Sequence, residues 1–472
     1  MKNTIAPFFE PESVAVIGSF RETWFGGYIS IKHLLTFGFS GKIYPVSPFY
    51  NKVLDMQVYP SMKDVPEAID LAIMMTPNQV VPQIIEECGQ NGVKAAIIVS
   101  DGFAERDENG AKLQQEVVNI ANRLSIRLLG PNTVGTANVA AGLLTTPYAT
   151  KYEKIKRGGV AFCAQSGIAG AQAFPFEDTQ YGLSKICDFG NKCDVDEADL
   201  LEYLADDPET KVIAMHIEDV KDGQRFLKTA RETVRKKPVL ILKPGSTDEG
   251  KQALKSHTGA LAGEDQVYEA AFKQTGIIRV ESFEQLLDFS KLFALQPLPK
   301  GNRIAFITTS GGAGILAIDT AVKCGLSVAA LSDDSIRRLN ELSPTLGSHP
   351  IDVFTTPLAF EDMLRLYRET IEIALSDENV DCAAVVLYEA PFTALQLYPQ
   401  IVQVFNDSKR FGKPIAIWLY GTRLSSMREL SMLLEDAGIP VYSDYVTPVK
   451  ALAAAAKYST YSPSSVRPHL DL

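Results

Sequence analysis

The stretch Gly159-Val160-Ala161-Phe162-Cys163-Ala164-Gln165-Ser166-Gly167-Ile168-Ala169-Gly170 decides the fold. Apolar, strand-favouring residues run into Ser-Gly-x-Ala-Gly, where a helix can begin. Free amides and a helix dipole converge at such a turn, so it suits an anion. The same order returns in Ile304-Ala305-Phe306-Ile307-Thr308-Thr309-Ser310-Gly311-Gly312-Ala313-Gly314. One turn alone is as well explained by glycine letting strand and helix approach. Two in adjacent domains could bracket a single phosphate, which makes Ser166, Gly167, Gly311 and Gly312 candidate phosphate-binding residues. The echo continues in two apolar strands ending in glutamate, Val212-Ile213-Ala214-Met215-His216-Ile217-Glu218 and Ala383-Ala384-Val385-Val386-Leu387-Tyr388-Glu389. His216 alternates into a core, and Glu389 is expected to be a solvated strand end.

Upstream, short apolar runs at 14–18, 42–46, 71–75, 95–100 and 127–130 alternate with helical patterns, which predicts a parallel α/β sheet. Each run ends in Gly, Ser, Thr, Pro or Val-Ser-Pro, at the edge where open α/β sheets bind ligands. The dinucleotide fingerprint is missing after Gly18, and no acid follows the second run, where Ser47-Pro48 stands. Both absences count against a nicotinamide oxidoreductase. Residues 135–157 lack apolar alternation and read as a linker.

Composition excludes other classes. With 472 residues the chain is too long for one core, and a net charge of −11 argues against a nucleic-acid surface. Six cysteines without a Cys-x-x-Cys pair predict buried free thiols in a reducing compartment. No signal peptide or membrane-length apolar run is visible, so a cytoplasmic protein is expected. Neither a metal-ligand cluster nor a Walker A sequence is present.

The remaining stretch is Lys255-Ser256-His257-Thr258-Gly259-Ala260-Leu261-Ala262-Gly263, with further glycines at 245 and 250. A histidine among small residues is unshielded, and imidazole near its pKa accepts a phosphoryl group at neutral pH. On composition alone an incidental histidine in a surface loop reads equally well. Residues 243–257 are expected to form a polar movable arm, reaching roughly 45 Å if extended at about 3.3 Å per residue.

Ser256-His257-Thr258-Gly259-Ala260-Leu261-Ala262-Gly263 resembles the phosphohistidine loop of the NDP-forming acyl-CoA synthetases, relatives of succinyl-CoA synthetase. The resemblance covers nearly the whole chain and points to the α-subunit branch that includes ADP-forming acetyl-CoA synthetases. The strand ends Ile17-Gly18-Ser19, Tyr44-Pro45-Val46-Ser47-Pro48, Thr76-Pro77-Asn78, Ser100-Asp101-Gly102-Phe103 and Gly130-Pro131-Asn132-Thr133 are similar to those of the family's CoA-binding domain. It implies that Gly18, Ser19, Phe20, Ser47, Pro48, Thr76, Pro77 and Ser100 contact coenzyme A, with Asn132 near the thioester. It also implies that Glu218 holds the imidazole of a catalytic His257, and that Asp188-Phe189-Gly190-Asn191-Lys192 is the family's Gly-Asn-Lys turn. Three departures stand out: Ser310 replaces a usual asparagine, Ala164 opens a usual Ser-Gln-Ser-Gly, and His349-Pro350-Ile351-Asp352 replaces Asn-Pro-Val-Asp.

The resemblance implies an α/β chain of three domains with a tail. These are a Rossmann-like CoA-binding domain at 1–148, a flavodoxin-like domain with the phosphohistidine loop at 149–297, a second flavodoxin-like domain at 298–457 and a polar tail at 458–472. The implied reaction converts acyl-CoA, inorganic phosphate and ADP to acid, CoA and ATP. No ATP-grasp stretch is visible, so ADP/ATP and Mg²⁺ are expected on an ATP-grasp β subunit in an α2β2 heterotetramer. Neither nucleic acid nor membrane is an expected partner. Alternatives are a succinyl-CoA ligase-type α subunit with another acyl substrate and a non-catalytic acyl-CoA-binding regulator; His257 and Glu218 disfavour the regulator.

Overall fold

A computed structural model describes residues 5–151, 154–167, 170, 181–258, 264–354, 360–394 and 396–461. The chain divides into two compact units, Met1–Ser282 and Phe283–Leu472.

The described residues of the first unit hold two large sheets and a two-stranded ribbon of Lys52–Val53 with Met56–Gln57. Strands β1 (Ser13–Gly18), β2 (Lys42–Val46), β3 (Leu71–Met75), β4 (Ala95–Ile98) and β5 (Arg127–Leu129) form a parallel sheet in the order β2-β1-β3-β4-β5. These are the five expected runs. They read as continuous apolar segments because helices cover the sheet: Ala15, Ala72 and Ala96 pack with Ile85 and Val117 of flanking helices in one core.

The second sheet contains β6 (Thr136–Asn138), β7 (Leu143–Leu144), β8 (Arg157–Ala164), β9 (Leu183–Asp188), β10 (Val212–His216), β11 (Val239–Leu242) and β12 (Ile278–Val280). Its order is β12-β11-β10-β8-β9-β6-β7, parallel except where β6 pairs with β9 and with β7. Part of the expected linker is therefore sheet. Its strands are too short to show alternation, and the Thr136 and Thr145 side chains bond locally instead: Thr145 Oγ1 accepts from the Thr136 amide at 2.7 Å.

The second unit carries β13 (Arg303–Thr308), β14 (Ser327–Val328), β15 (Ile351–Asp352), β16 (Cys382–Tyr388), β17 (Ile415–Tyr420) and β18 (Val441–Tyr442). Their order is β14-β13-β16-β17-β18, with β15 beside β13 and all pairs parallel. The helix before β13, Phe283–Leu295, belongs to this unit. Of the expected tail, 458–461 are described, and Tyr458 and Ser459 close the helix Val446–Ser459; 462–472 lie outside the described residues.

The second sheet carries a buried ion pair. Lys185 on β9 reaches Asp207 Oδ2 at 3.0 Å, with side-chain exposures of 1% and 3%. Thr210 Oγ1 donates to the same oxygen at 2.5 Å. Removing one partner strands the other away from water. Lys185→Met is expected to destabilise the first unit by about 3–5 kcal/mol, read as a lowered urea midpoint, and adding Asp207→Leu should restore most of the loss. An unchanged midpoint in Lys185→Met would show that the pair contributes nothing.

Candidate active site

A cavity of about 540 Å³ opens at the carboxyl edge of the first sheet. Thr76 and Pro77 after β3, Ser100 after β4 and Asn132 after β5 line it, together with Ser166 and Gly167 after β8. Six residues expected to bind coenzyme A or phosphate thus meet in one space. Thr76 Oγ1 is buried there with no hydrogen-bond partner, and the Ser100 hydroxyl donates to the Thr76 carbonyl.

Gly18, Ser19, Phe20, Ser47 and Pro48 are not among the lining residues; they follow the neighbouring strands β1 and β2. Gly18 has φ +151°, and a Cβ there would stand 2.5 Å from the Met75 carbonyl oxygen, so the position admits only glycine. Phe20 and Ser47 are buried, whereas Ser19 is exposed with its hydroxyl 3.1 Å from that of Tyr50.

The second sheet supplies charged groups to the far wall. Asp188, the last residue of β9, lines the cavity with 1% exposure. Its Oδ2 accepts from the Val134 amide at 2.7 Å and its Oδ1 from the Gly190 amide at 3.2 Å. Burial pushes its pKa up to about 7, against the pull of those two amides, and the Glu218 charge adds to the rise. Glu218 follows β10 and is 4% exposed, far from the solvated end that a strand terminus suggests. Gln165 of the cavity wall holds this corner. Its Oε1 accepts from the amides of Glu218 at 2.8 Å and Asp219 at 3.3 Å, and its Nε2 donates to Asp219 Oδ1 at 2.8 Å.

Neighbouring charges are committed elsewhere. Lys192 is fully buried, with its ammonium 2.9 Å from Glu197 Oε2 and 2.8 Å from Asp219 Oδ1. Burial opposes ionisation of Asp219, yet Lys192 and the Gln165 amide together hold its carboxyl below the usual range. Burial, reinforced by Lys243, pushes the His216 imidazole down to about 4, so it is neutral in its core as expected.

His257 does not sit on a loop. The helix Asp248–Thr258 carries it one residue before its end, and 259–263 lie outside the described residues. The signal was present but local: Thr247 accepts from the Gly250 amide through Oγ1 at 3.0 Å, and Asp248 and Glu249 occupy the first turn. Gly250 and the polar composition masked it. Eleven helical residues rise only about 16 Å, so the expected 45 Å arm is corrected to a compact helix. A second helix, Asp265–Thr275, follows.

In the second unit, the Ser310-Gly311-Gly312 turn opens the helix Gly311–Lys323, with Ser310 Oγ accepting from the Ala313 amide at 3.5 Å. The departure at His349 is structural: its Nδ1 accepts from the Phe306 amide of β13 at 3.5 Å. Glu389, expected in solvent, is 2% exposed and accepts from the Tyr398 hydroxyl. Gly421 makes the space, since a Cβ there would lie 2.7 Å from Glu389 Oε2.

Residues 12–138 match the family described as "CoA binding domain", and residues 157–293 match "Succinyl-CoA ligase like flavodoxin domain". The chain thus joins a CoA-binding domain to a succinyl-CoA-ligase-like one. It is 38% identical over 459 residues to the ADP-forming acetate–CoA ligase II subunit alpha of Pyrococcus furiosus, covering 95% of this chain and 97% of that one. It is 35% identical over 456 residues to the ADP-forming acetate–CoA ligase II of Archaeoglobus fulgidus, but spans only 66% of that longer protein. The solved acetyl-coenzyme A synthetase 1 of Ca. Korarchaeum cryptofilum, in complex with phosphate and ADP, matches over the whole of both chains with a TM-score of 0.89 and 30% identity. The chain belongs to the family of ADP-forming acetate–CoA ligase α subunits.

Asp188 and Gln165 were quoted in the sequence without a role, because their partners lie 54 and 53 residues away. Asp188 carries a pH signature. Its folded pKa of about 7 lies above the ordinary 3.8, so its stabilising proton is fully present below about pH 4 and is lost as pH rises through about 7. Asp188→Asn cannot ionise. Its unfolding free energy relative to wild type is therefore expected to improve between pH 4 and pH 8, by at most about 4 kcal/mol. Parallel stability–pH curves for the two proteins would refute the perturbed carboxyl.

Proposed function

We propose that this chain is the CoA-binding and phosphohistidine subunit of an ADP-forming acyl-CoA synthetase, converting acyl-CoA, phosphate and ADP to acid, CoA and ATP. The cavity that unites the strand ends after β3, β4 and β5 with the Ser166-Gly167 turn carries this reading. Thr76, Pro77, Ser100 and Asn132 fit a thioester and its pantetheine arm in that space. Gly18, Ser19, Phe20, Ser47 and Pro48, at adjoining strand ends, are then left for the distal part of coenzyme A.

Phosphate at the Ser166-Gly167 turn attacks the thioester carbonyl, and acyl phosphate and CoA result. Amides there stabilise the negative charge without reorganising. His257 next takes the phosphoryl group from the acyl phosphate and releases the carboxylic acid. Glu218 orients the imidazole and stabilises the cation it becomes, the role of a carboxylate behind a catalytic histidine. Gly311 and Gly312 offer an anion turn of the same kind in the second unit.

The phosphoryl group finally passes to ADP. The relatives named as alpha subunits, and the longer single-chain ligase of which this chain spans 66%, support a nucleotide site outside this chain. We assign it, with Mg²⁺, to an ATP-grasp partner in an α2β2 cytoplasmic assembly.

His257→Ala is expected to abolish ATP formation while leaving acyl phosphate formation from acyl-CoA within a few-fold of wild type. Both half-reactions are measured directly, and wild-type ATP synthesis by the variant would remove His257 from the pathway. Glu218→Gln should slow phosphorylation of His257 by up to about 10⁴-fold with CoA affinity unchanged, read by radiolabelled phosphate and calorimetry. Loss of CoA affinity with normal phosphorylation would make Glu218 structural.

A further inference from the structure

Cleaving a thioester releases a thiolate, and that sulfur needs a proton. The dianionic phosphate that attacks has one to give, but it is carried on a phosphate oxygen and must be relayed to the sulfur. A group between the thioester end and the phosphate turn would connect them. Asp188 lines the same cavity as Ser100 and Asn132 of the expected thioester end and Ser166 and Gly167 of the expected phosphate turn.

We propose that Asp188 is the acid that protonates the departing thiolate of CoA and is reloaded by the hydroxyl proton of the attacking phosphate. The proposal rests on the acyl-CoA synthetase reading above. In the step, a phosphate oxygen forms a bond to the carbonyl carbon and the carbon–sulfur bond breaks, its electron pair leaving on sulfur. The sulfur takes the carboxyl proton of Asp188, and the resulting carboxylate takes the phosphate's remaining proton. Acyl-CoA and hydrogen phosphate thus become acyl phosphate and the free thiol, with the acid regenerated.

Geometry keeps the carboxyl in place. The Val134 amide at 2.7 Å and the Gly190 amide at 3.2 Å fix it from two chain segments. Gly190 can approach only as glycine, with φ +50° and a would-be Cβ 2.3 Å from the Pro131 carbonyl oxygen. Once the phosphate oxygen is bonded to the acyl carbon, its remaining proton is as acidic as that of a phosphate ester, about 6, so a carboxyl titrating at about 7 lies between that donor and a thiol near 8.5.

The other groups around Asp188 do not offer this. Cys187 on its own strand and Cys163 on β8 are buried thiols whose pKa values burial pushes up, Cys163 to about 12. Glu218, beyond β10, raises the Asp188 pKa by its charge, and Lys192 in the following turn is held by Glu197 and Asp219. Asp101 and Arg106 also line the cavity, in the segment beyond β4.

The test uses the assembled enzyme with acetyl-CoA and phosphate, following thiol release, and separately with acetyl phosphate, following phosphorylation of His257. Asp188→Asn should lower kcat for thiol release about 100-fold or more with KM for acetyl-CoA within twofold. Phosphorylation of His257 from acetyl phosphate, which frees no thiol, should stay within threefold. The wild-type rate should fall as pH rises through about 7, the variant's should not, and Asp188→Glu should recover part of the rate. Equal loss of both half-reactions, or a variant that keeps the wild-type pH profile, would overturn the proposal. If wild-type enzyme releases no thiol in response to phosphate, the parent reading fails instead, and the two outcomes are distinct.

Discussion

The loop after β5 and the turn after β9 are laced together, and the shape of the cavity follows from that lacing. The Asp188 amide donates to the Gly135 carbonyl at 3.0 Å, the Asn191 amide to Pro131 at 2.9 Å and the Cys193 amide to Gly130 at 3.0 Å. The Thr133 hydroxyl donates to the Asp188 carbonyl, and the Asp188 carboxylate accepts from Val134. Each bond satisfies a buried backbone group that neither sheet could pair alone. The strand end after β5 that would hold a thioester is thereby fixed against the end of β9, the strand beside β8 and its Ser166-Gly167 turn. Positioning of this kind converts a two-substrate attack into a nearly unimolecular one.

Within that frame, burial sorts the acids by role. Asp219 has an ammonium and an amide on it and stays ionised, so it serves as structure. Asp188 receives two backbone amides and the Thr133 hydroxyl, with no ammonium, and loses more to desolvation than they return, so it holds its proton near neutrality. The two carboxyls differ through their surroundings and not through their chemistry. Lys185 with Asp207, and Lys192 with Glu197 and Asp219, show how a parallel sheet carries charge: each of these buried ions has a partner within 3.0 Å.

Much of this was legible in the chain. Apolar runs with glycine or proline at their ends located the first sheet to within two residues, because strands buried on both faces need unbroken hydrophobicity. The Ser-Gly turns after β8 and β13 were legible as strand ends running into glycine, and the second opens a helix. Errors arose where local composition misleads. Gly250 and a polar run concealed the helix around His257, although Thr247, Asp248 and Glu249 mark its start. Glu389 looked solvated because the residues that bury it, Tyr398 and Gly421, are read only after the chain has folded. Asp188 was visible as part of a turn, but its proton affinity depends on Val134 and Glu218, which sequence proximity does not reveal.

The account stands on an acyl phosphate made in the cavity and resolved on His257. Phosphate labelled with ¹⁸O at all four oxygens, supplied with acyl-CoA, ADP and the assembled enzyme, traces that path. The oxygen that attacks the thioester stays with carbon when the phosphoryl group moves to nitrogen. Mass spectrometry of the released acid should therefore find one ¹⁸O per molecule, with three in the γ-phosphoryl group of ATP. An acid carrying only solvent oxygen would contradict the mechanism.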